Sequence, residues 1–217
     1  MTAAVDIPLK PPPGLPQHIV LDGMTWDFYE HLLRLVGDRP IQITFFRGRL
    51  EIMSPLFKRE RWKMMIGGMI ELLARARKTP FIRAGSLTLR QQDEEAGLEP
   101  DQCYYLQHAR QVLGKERIDL PGDPPPDLAV EIDITRHSIA RQPIYAVLAV
   151  PELWRFDGKR LHFLKLVEAG RYDAVDHSLA FPFLSPEDLQ PFLDRMHTED
   201  DLAVTEAFEE WLKTLRG

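Results

Sequence analysis

The stretch PPDLAVEIDI, residues 125–134, carries the most regular strand pattern in the chain. Its apolar residues at positions 128, 130, 132 and 134 alternate with Ala129, Glu131 and Asp133, which is the period of a β-strand. This alternation predicts that one face of the strand packs in the core. The opposite face, with its two carboxylates, is expected to carry water or chemistry.

A second acidic, strand-like stretch lies earlier in the chain, GLEPDQCYYL at residues 97–106. Asp101 stands there between a proline and an aromatic run with strand character. Because an unpaired buried carboxylate is costly, acids on half-buried strands should be ion-paired, hydrogen-bonded or bound to a cation. Two carboxylates converging from neighbouring strands suit a hard divalent ion. The sequence leaves these options open for Asp101 and Glu131.

Two further acids have a structural interpretation. Asp127 is expected to cap a strand, and Asp133 is expected to pair with an arginine such as Arg136. His137 is most simply a surface residue of the loop, although a proton relay is an alternative.

The order of helical and strand patterns indicates α and β elements mixed around one sheet. Residues 25–37 predict a helix capped by Thr25, with Phe28, Leu32 and Leu35 on its buried face. The longest amphipathic helix is predicted over residues 58–78, and the apolar side chains that it presents at helical spacing are Trp62, Ile66, Met69, Ile70 and Leu73.

Other local patterns complete this outline. They predict a hairpin of residues 41–46 and 50–54 around Arg47-Gly48, strands at 81–91 and after Pro100, a helix within 138–150, a hairpin around Asp157-Gly158 that continues into a third strand, and two helices from Ser185 onward. Residues 1–18 are proline-rich and are expected to be a flexible lead-in, and residues 19–217 are expected to form a single domain.

The composition bounds the class of protein. The 217 residues are 44% hydrophobic and 28% charged, which is typical of a globular domain. The formal net charge of −6 does not indicate a nucleic-acid binder. The single cysteine, Cys103, cannot form an internal disulfide, which fits a cytoplasmic location. No secretory signal is evident, and no apolar run approaches the length of a membrane span.

Four stretches in this order, GRLEIMSP, GLEPDQCYYL, PPDLAVEIDIT and IYAVLAVPELWRFD, resemble the Uma family, a bacterial family of proposed restriction endonucleases. The resemblance covers roughly Leu21 to Tyr172. That family is assigned to the PD-(D/E)xK nuclease superfold, an α/β fold with a central mixed sheet flanked by helices. The resemblance implies a metal-dependent endonuclease that hydrolyses phosphodiester bonds in DNA.

The resemblance also implies roles for individual residues. Asp101, Glu131 and the carbonyl of Ile132 match the groups that hold Mg²⁺ or Mn²⁺ in such nucleases. Glu60, at the start of the long helix, matches an acid that often joins the site. The metal would stabilise charge developing on a phosphate and lower the pKa of an attacking water. Arg141 is expected to bind phosphate.

Three positions depart from the family pattern. Arg141 stands where the family usually has a lysine, and arginine cannot act as a base. Arg59 stands where relatives often have a histidine, and Asp133 replaces the usual superfold lysine. Arg141 and Asp133, together with the net negative charge, favour an alternative function, a catalytically degenerate nuclease fold that serves as a DNA-binding or protein-interaction module. A homodimer is left open, because cutting a duplex requires two sites.

Basic residues gather at both ends of the long predicted helix. Lys58, Arg59, Arg61 and Lys63 at its start could contact a phosphate backbone, but such a run is more often a solvated helix face. No HExxH motif is present, and one cysteine makes a structural zinc site a poor interpretation.

Overall fold

The computed structural model describes residues 18–37, 39, 41–54, 56–134, 139–168 and 170–215. Within these ranges the chain forms, in order, β1 (His18–Asp22), α1 (Trp26–Val36), β2 (Gln42–Phe46), β3 (Arg49–Met53), α2 (Phe57–Ala76), β4 (Ile82–Arg83), β5 (Leu89–Gln91), β6 (Ala96–Leu98), β7 (Gln102–Tyr105), α3 (Ala109–Val112), β8 (Leu128–Ile132), α4 (Arg141–Val147), β9 (Glu152–Phe156), β10 (Leu161–Glu168), β11 (Arg171–Val175), α5 (Pro186–Arg195) and α6 (Asp201–Thr214).

The strands form two sheets, so the expectation of one sheet is wrong in this respect. A five-stranded antiparallel sheet has the order β1-β3-β2-β6-β5, and a six-stranded mixed sheet has the order β11-β10-β9-β8-β7-β4. Only β8 and β9 run parallel among the strand pairs described. The predicted strand at 81–91 divides into β4 and β5, which join different sheets, and Gly85 with its positive φ of 58° lies between them.

Local turn chemistry explains the first hairpin, whose prediction is confirmed. Arg47 and Gly48 connect β2 to β3 with φ angles of 49° and 84°. Positive φ at both central residues is the geometry of the type I′ turn, whose twist matches that of two antiparallel strands. The hairpin around residues 157–158, the third strand after it and the two C-terminal helices are also confirmed.

Helix α1 begins where the sequence predicts but turns a different face to the core. Thr25 caps it by accepting a hydrogen bond from the Phe28 N–H. Phe28 and Leu35 are exposed, however, and Tyr29 is the residue that is fully buried, stacked on Phe45 of the first sheet. The predicted face is therefore wrong for Phe28 and Leu35, whereas Leu32 packs against the core cluster that contains Tyr29 and Phe45.

Helix α2 is the central helix of the fold, and its prediction is confirmed. All five apolar residues predicted for its inner face are buried in the main core with residues of β8, β9, α5 and α6. Gly67 allows this helix to approach β7, because a Cβ there would lie 2.7 Å from the Tyr104 hydroxyl. The first turn of α2 is thereby held beside the strands that carry the acids.

Strand β8 is buried on both faces, so of the two alternatives predicted for its second face, water or chemistry, water does not apply to Ala129 and Glu131. Its apolar residues at 128, 130 and 132 pack in the main core, while Ala129 packs in a second cluster with Tyr145 of α4. Glu131 is only 3% exposed. A fully covered central strand is expected where a sheet has parallel neighbours and helices on both sides.

The beginning of the chain is only partly covered by these observations. The flexible lead-in predicted for residues 1–18 falls on residues outside the described ranges except for His18, which begins β1 and faces Met53 of β3. Among the described residues, every helix is too short or too polar to cross a membrane.

Candidate functional site

Asp101, immediately before β7, and Glu131 of the neighbouring β8 lie side by side, as the sequence predicts. Gln102 of β7 is opposite Val130 of β8, so the antiparallel register places Asp101 opposite Glu131. Residues opposite one another in a sheet project from the same face. The Ile132 N–H donates a 2.7 Å hydrogen bond to Asp101 Oδ2, which joins the two strand ends.

The guanidinium of Arg59, in the first turn of α2, lies between the two acids. Its Nε is 2.9 Å from Asp101 Oδ1, and its Nη2 is 2.9 Å both from Asp101 Oδ2 and from Glu131 Oε1. Arg59 is 1% exposed, and its Nη1 contacts the Met53 sulfur at 3.1 Å. One buried cation therefore bridges the two carboxylates that the sequence predicts to hold a metal.

Asp101 is surrounded by donors. Besides Arg59 and the Ile132 N–H, the Gln42 side-chain nitrogen donates to Asp101 Oδ1 at 3.0 Å. Burial by itself would raise the pKa of Asp101, but the charges of Arg59 and Arg141 and the hydrogen bonds from Arg59 and Ile132 hold it below its usual value. The carboxylate is thus stabilised in its ionised form by protein groups alone.

Glu131 is held by two residues of α4. The Arg141 Nε is 3.1 Å from Glu131 Oε1, and the Tyr145 hydroxyl donates to Glu131 Oε2 at 2.7 Å. Burial and the Glu131 charge together raise the pKa of Tyr145, so this hydroxyl stays a proton donor. Arg141 and Tyr145 are one helical turn apart, which brings both to the same acid.

Arg141 is buried rather than presented to a ligand. Its Nη1 contacts the Thr44 hydroxyl of β2 at 3.3 Å, its Nη2 donates to the Glu99 carbonyl, and the side chain is 7% exposed. These contacts tie α4 to the first sheet and to the segment before Asp101. The predicted role in phosphate binding stays a prediction, and the observed role is to pair with Glu131.

Glu60 lies apart from this cluster. Its carboxylate contacts Lys63 at 3.1 Å within α2 and is 38% exposed. Arg61, the other arginine of this turn, contacts Asp201 and the carbonyls of Met196 and Glu199. The run was expected to be a solvated helix face, with DNA contact as the alternative; Arg59, Arg61 and Lys63 are instead engaged within the protein, and Lys58 is exposed.

The two acids given a structural interpretation have structural partners. Asp127 accepts hydrogen bonds from the N–H groups of Leu106 and His108. Asp133 pairs with an arginine as predicted, but the partner is Arg155 of β9, at 3.0 Å between Nε and Oδ2. Arg136 and His137 lie outside the described residues.

Sequence reasoning missed the buried polar residues that the first sheet places next to the site. Gln42, Thr44 and Glu51 are buried on β2 and β3, with Thr44 opposite Glu51, and the His18 ring contacts Glu51 at 2.9 Å. The burial of Glu51 could have been predicted from the sequence RLEIM, residues 49–53. Its strand period places Glu51 on the same face as Met53, which could face inward. The missed role of Tyr145 had no local signal.

A divalent ion does not fit the cluster as it stands. A metal held by Asp101 and Glu131 needs the carboxylate oxygens that Arg59, Ile132 and Gln42 now use. Among the described residues, no group of three or more His, Cys, Asp or Glu side chains is arranged to hold a metal. The donor set available is two acids already neutralised by two arginines.

A pocket of about 400 Å³ adjoins the cluster and is lined by Glu131, Arg141, Tyr145, Asp133 and Arg155 among others. Its charged groups are the paired acids and arginines described above. A larger pocket of about 550 Å³ elsewhere, beside α1, has none of these residues in its lining. The pocket beside Glu131 is therefore the one relevant to the candidate site.

Comparison with protein families matches residues 26–199 to Uma2, a family described as "Putative restriction endonuclease". The match extends from the start of α1 to the segment between α5 and α6. Comparison with curated proteins finds no match.

Proposed function

The chain belongs to the Uma2 family, whose fold is that of restriction endonucleases, and from this premise we propose that it binds DNA without hydrolysing it. The family match supports a nuclease-like function in general. The finer proposal is a DNA-binding protein whose hydrolytic site is closed by its own side chains. Restriction-endonuclease folds act on DNA, which favours DNA over a protein as the partner.

One observation carries this proposal, the bridge from Arg59 to both Asp101 and Glu131. Hydrolysis by two acids and a divalent ion requires those acids to be available to the ion. Here a buried guanidinium bridges them and, near neutral pH, it can neither donate its proton to an attacking water nor accept one from it. Arg141, in the position of the usual lysine, has the same limitation.

The second candidate function is the metal-dependent DNA endonuclease implied by the resemblance. The adjacency of Asp101, immediately before β7, and Glu131 of β8 favours it, together with the family match. It would use Mg²⁺ or Mn²⁺ held by these acids and by the Ile132 carbonyl, with Glu60 and Arg141 assisting. It requires Arg59 to leave both acids.

A binding assay run beside a nicking assay tests the two candidates. We expect a labelled DNA duplex to bind the wild-type protein equally well in EDTA and in Mg²⁺ or Mn²⁺, and plasmid DNA to stay supercoiled. Lys58→Glu should weaken binding through its exposed position beside the site, whereas Lys78→Glu, at the far end of α2, is the matched control. Metal-dependent nicking would favour the second candidate, and absence of DNA binding would favour a protein partner.

Two other predictions are not tested by these observations. The homodimer and the cytoplasmic location stay predictions. Sedimentation of the protein with and without a DNA duplex would report the oligomeric state.

A further inference from the structure

We infer that the Arg59 guanidinium is a built-in substitute for a divalent cation, and that a site for Mn²⁺ or Mg²⁺ is latent beneath it. This inference rests on the proposed function and extends it to a single residue that excludes the metal. Removal of Arg59 should convert a protein that is indifferent to divalent ions into one that is stabilised by them.

The position of Arg59 is the first support. Its Nη2 lies 2.9 Å from one oxygen of Asp101 and 2.9 Å from one oxygen of Glu131. A cation bridging two carboxylates must occupy the space that is within reach of both, and Mg²⁺ binds oxygens at about 2.0–2.1 Å. The guanidinium nitrogen and the ion therefore compete for the same space.

The charge of the cluster is the second support. Asp101 and Glu131 supply two negative charges when ionised, and Arg59 and Arg141 supply two positive charges. A divalent ion added beside both arginines would bring two further positive charges into a buried set, which is costly away from water. Removal of Arg59 takes away one of the positive charges that lie beside the two carboxylates, which favours cation binding.

The third support is the side-chain oxygen of Gln42. The side-chain oxygen of Gln42 is buried and has no hydrogen-bond partner within the described residues, although the nitrogen of the same amide contacts Asp101. Amide oxygens are ordinary ligands of hard divalent ions. Gln42 would thus add a third protein oxygen beside the two carboxylates once the guanidinium is gone.

Thermal unfolding of Arg59→Ala, purified in EDTA and titrated with MnCl₂, tests the inference. We expect the wild-type melting temperature to change by less than about 1 °C with Mn²⁺, within the scatter of small surface effects. The melting temperature of Arg59→Ala should be lower in EDTA and should rise by about 5–10 °C at Mn²⁺ concentrations roughly 100-fold above its Kd. Calorimetric titration at a temperature where the variant is folded should give a stoichiometry of about one ion.

Two matched variants separate a metal site from general loss of stability. Arg61→Ala removes a neighbouring α2 arginine that binds Asp201 and two carbonyls, so it should lower the melting temperature without any response to Mn²⁺. Arg59→Ala combined with Asp101→Asn removes a carboxylate ligand and should abolish the response. If Arg59→Ala does not fold in EDTA, Arg59→Met, which keeps a long unbranched side chain without a charge in the space, takes its place in the same titration.

The outcomes are distinct. Equal stabilisation of the wild type and Arg59→Ala by Mn²⁺ would overturn the inference, and so would a response that survives Asp101→Asn. A folded Arg59 variant with no response to Mn²⁺ would overturn it as well. Because this titration contains no DNA, failure of the wild type to bind DNA would contradict only the proposed function.

Discussion

Two carboxylates in the region of the six-stranded sheet are completely buried, Asp101 before β7 and Glu152 at the start of β9. They differ in their polar partners. Asp101 faces the Arg59 guanidinium. Glu152 accepts hydrogen bonds from neutral donors, the indole N–H of Trp154 and the N–H of Ala180, both at 2.8 Å. Burial is the same in the two places, and the difference is the presence of a cation.

The pKa values follow this difference. Burial raises the pKa of Glu152, and hydrogen bonds from Ser178 and Trp154 offset it only in part. Burial also acts to raise the pKa of Asp101, but Arg59 and Arg141 reverse the effect and lower it. A buried acid on a strand is therefore a poor indicator of a metal site unless its existing counter-charges are known.

The largest expected effect is that of Asp101→Ala. An acid that served only a metal could be removed without loss of stability, but this one compensates a buried arginine. Leaving one partner of a buried ion pair alone costs about 3–5 kcal/mol. We expect urea unfolding at neutral pH to show a loss of this size for Asp101→Ala.

Asp133→Ala is the matched control for that measurement, because the pair of Asp133 with Arg155 is partly exposed. Its loss should be about 1 kcal/mol or less. Equal losses for the two variants would mean that the buried cluster contributes no more than a surface pair.

Tyr145→Phe should have the next largest effect. The Tyr145 hydroxyl donates to a charged acceptor, Glu131, and hydrogen bonds to charged groups are worth about 1.5–3 kcal/mol. Tyr172→Phe removes a hydroxyl that donates to the neutral carbonyl of Val150, so it should cost about 0.5–1.5 kcal/mol. Chemical denaturation of both variants would reveal whether the ionised cluster is the stronger acceptor, and a smaller loss for Tyr145→Phe would argue against an ionised Glu131.

The sequence predicted elements whose information is local. The turn at Arg47-Gly48 and the apolar stripe of α2 depend on neighbours in sequence, and both are confirmed. The burial of Tyr29 instead of Phe28 in α1 was not predicted. Both residues are candidates for the buried face, and the contact that decides between them is with Phe45 of β2, which the sequence of α1 does not specify. Register across the two sheets likewise depends on partners that no local pattern specifies.

The candidate site divides in the same way. The convergence of Asp101 and Glu131 was anticipated from two strand-like stretches and from a family resemblance. The role of Arg59 was not, because it depends on partners 42 and 72 residues away. In the sequence Arg59 is one basic residue in a basic run at a helix start, where a solvated position is the ordinary expectation.

Glu152→Gln should cost about 1–2 kcal/mol near pH 5. The amide nitrogen of the glutamine would be a second donor facing the Ala180 N–H, which now donates to a Glu152 oxygen. The folded pKa of Glu152 is raised above 4.5, so the folded wild type keeps its proton at pH values where the unfolded chain has lost it. The wild type therefore loses stability as pH rises from 4.5 through the folded pKa. Glutamine has no such dependence. The difference in unfolding free energy between the two proteins should therefore shrink as pH rises above 4.5. A difference that grows with pH would mean that Glu152 is stabilised as an anion, like Asp101.

The smallest expected effect is that of Glu60→Gln, and it addresses the one predicted site acid that lies apart from the cluster. Its contact is a partly exposed pair with Lys63 within one helix, worth about 0.5 kcal/mol. In the Arg59→Ala protein, Glu60→Gln should leave the affinity for Mn²⁺ unchanged within about twofold, since a direct ligand would be expected to change it by about tenfold or more. Calorimetric titration of the single and double variants measures this ratio. A tenfold loss would mean that Glu60 reaches the ion once the guanidinium is absent, and that Arg59 separates Glu60 from the two strand acids as well as neutralising them.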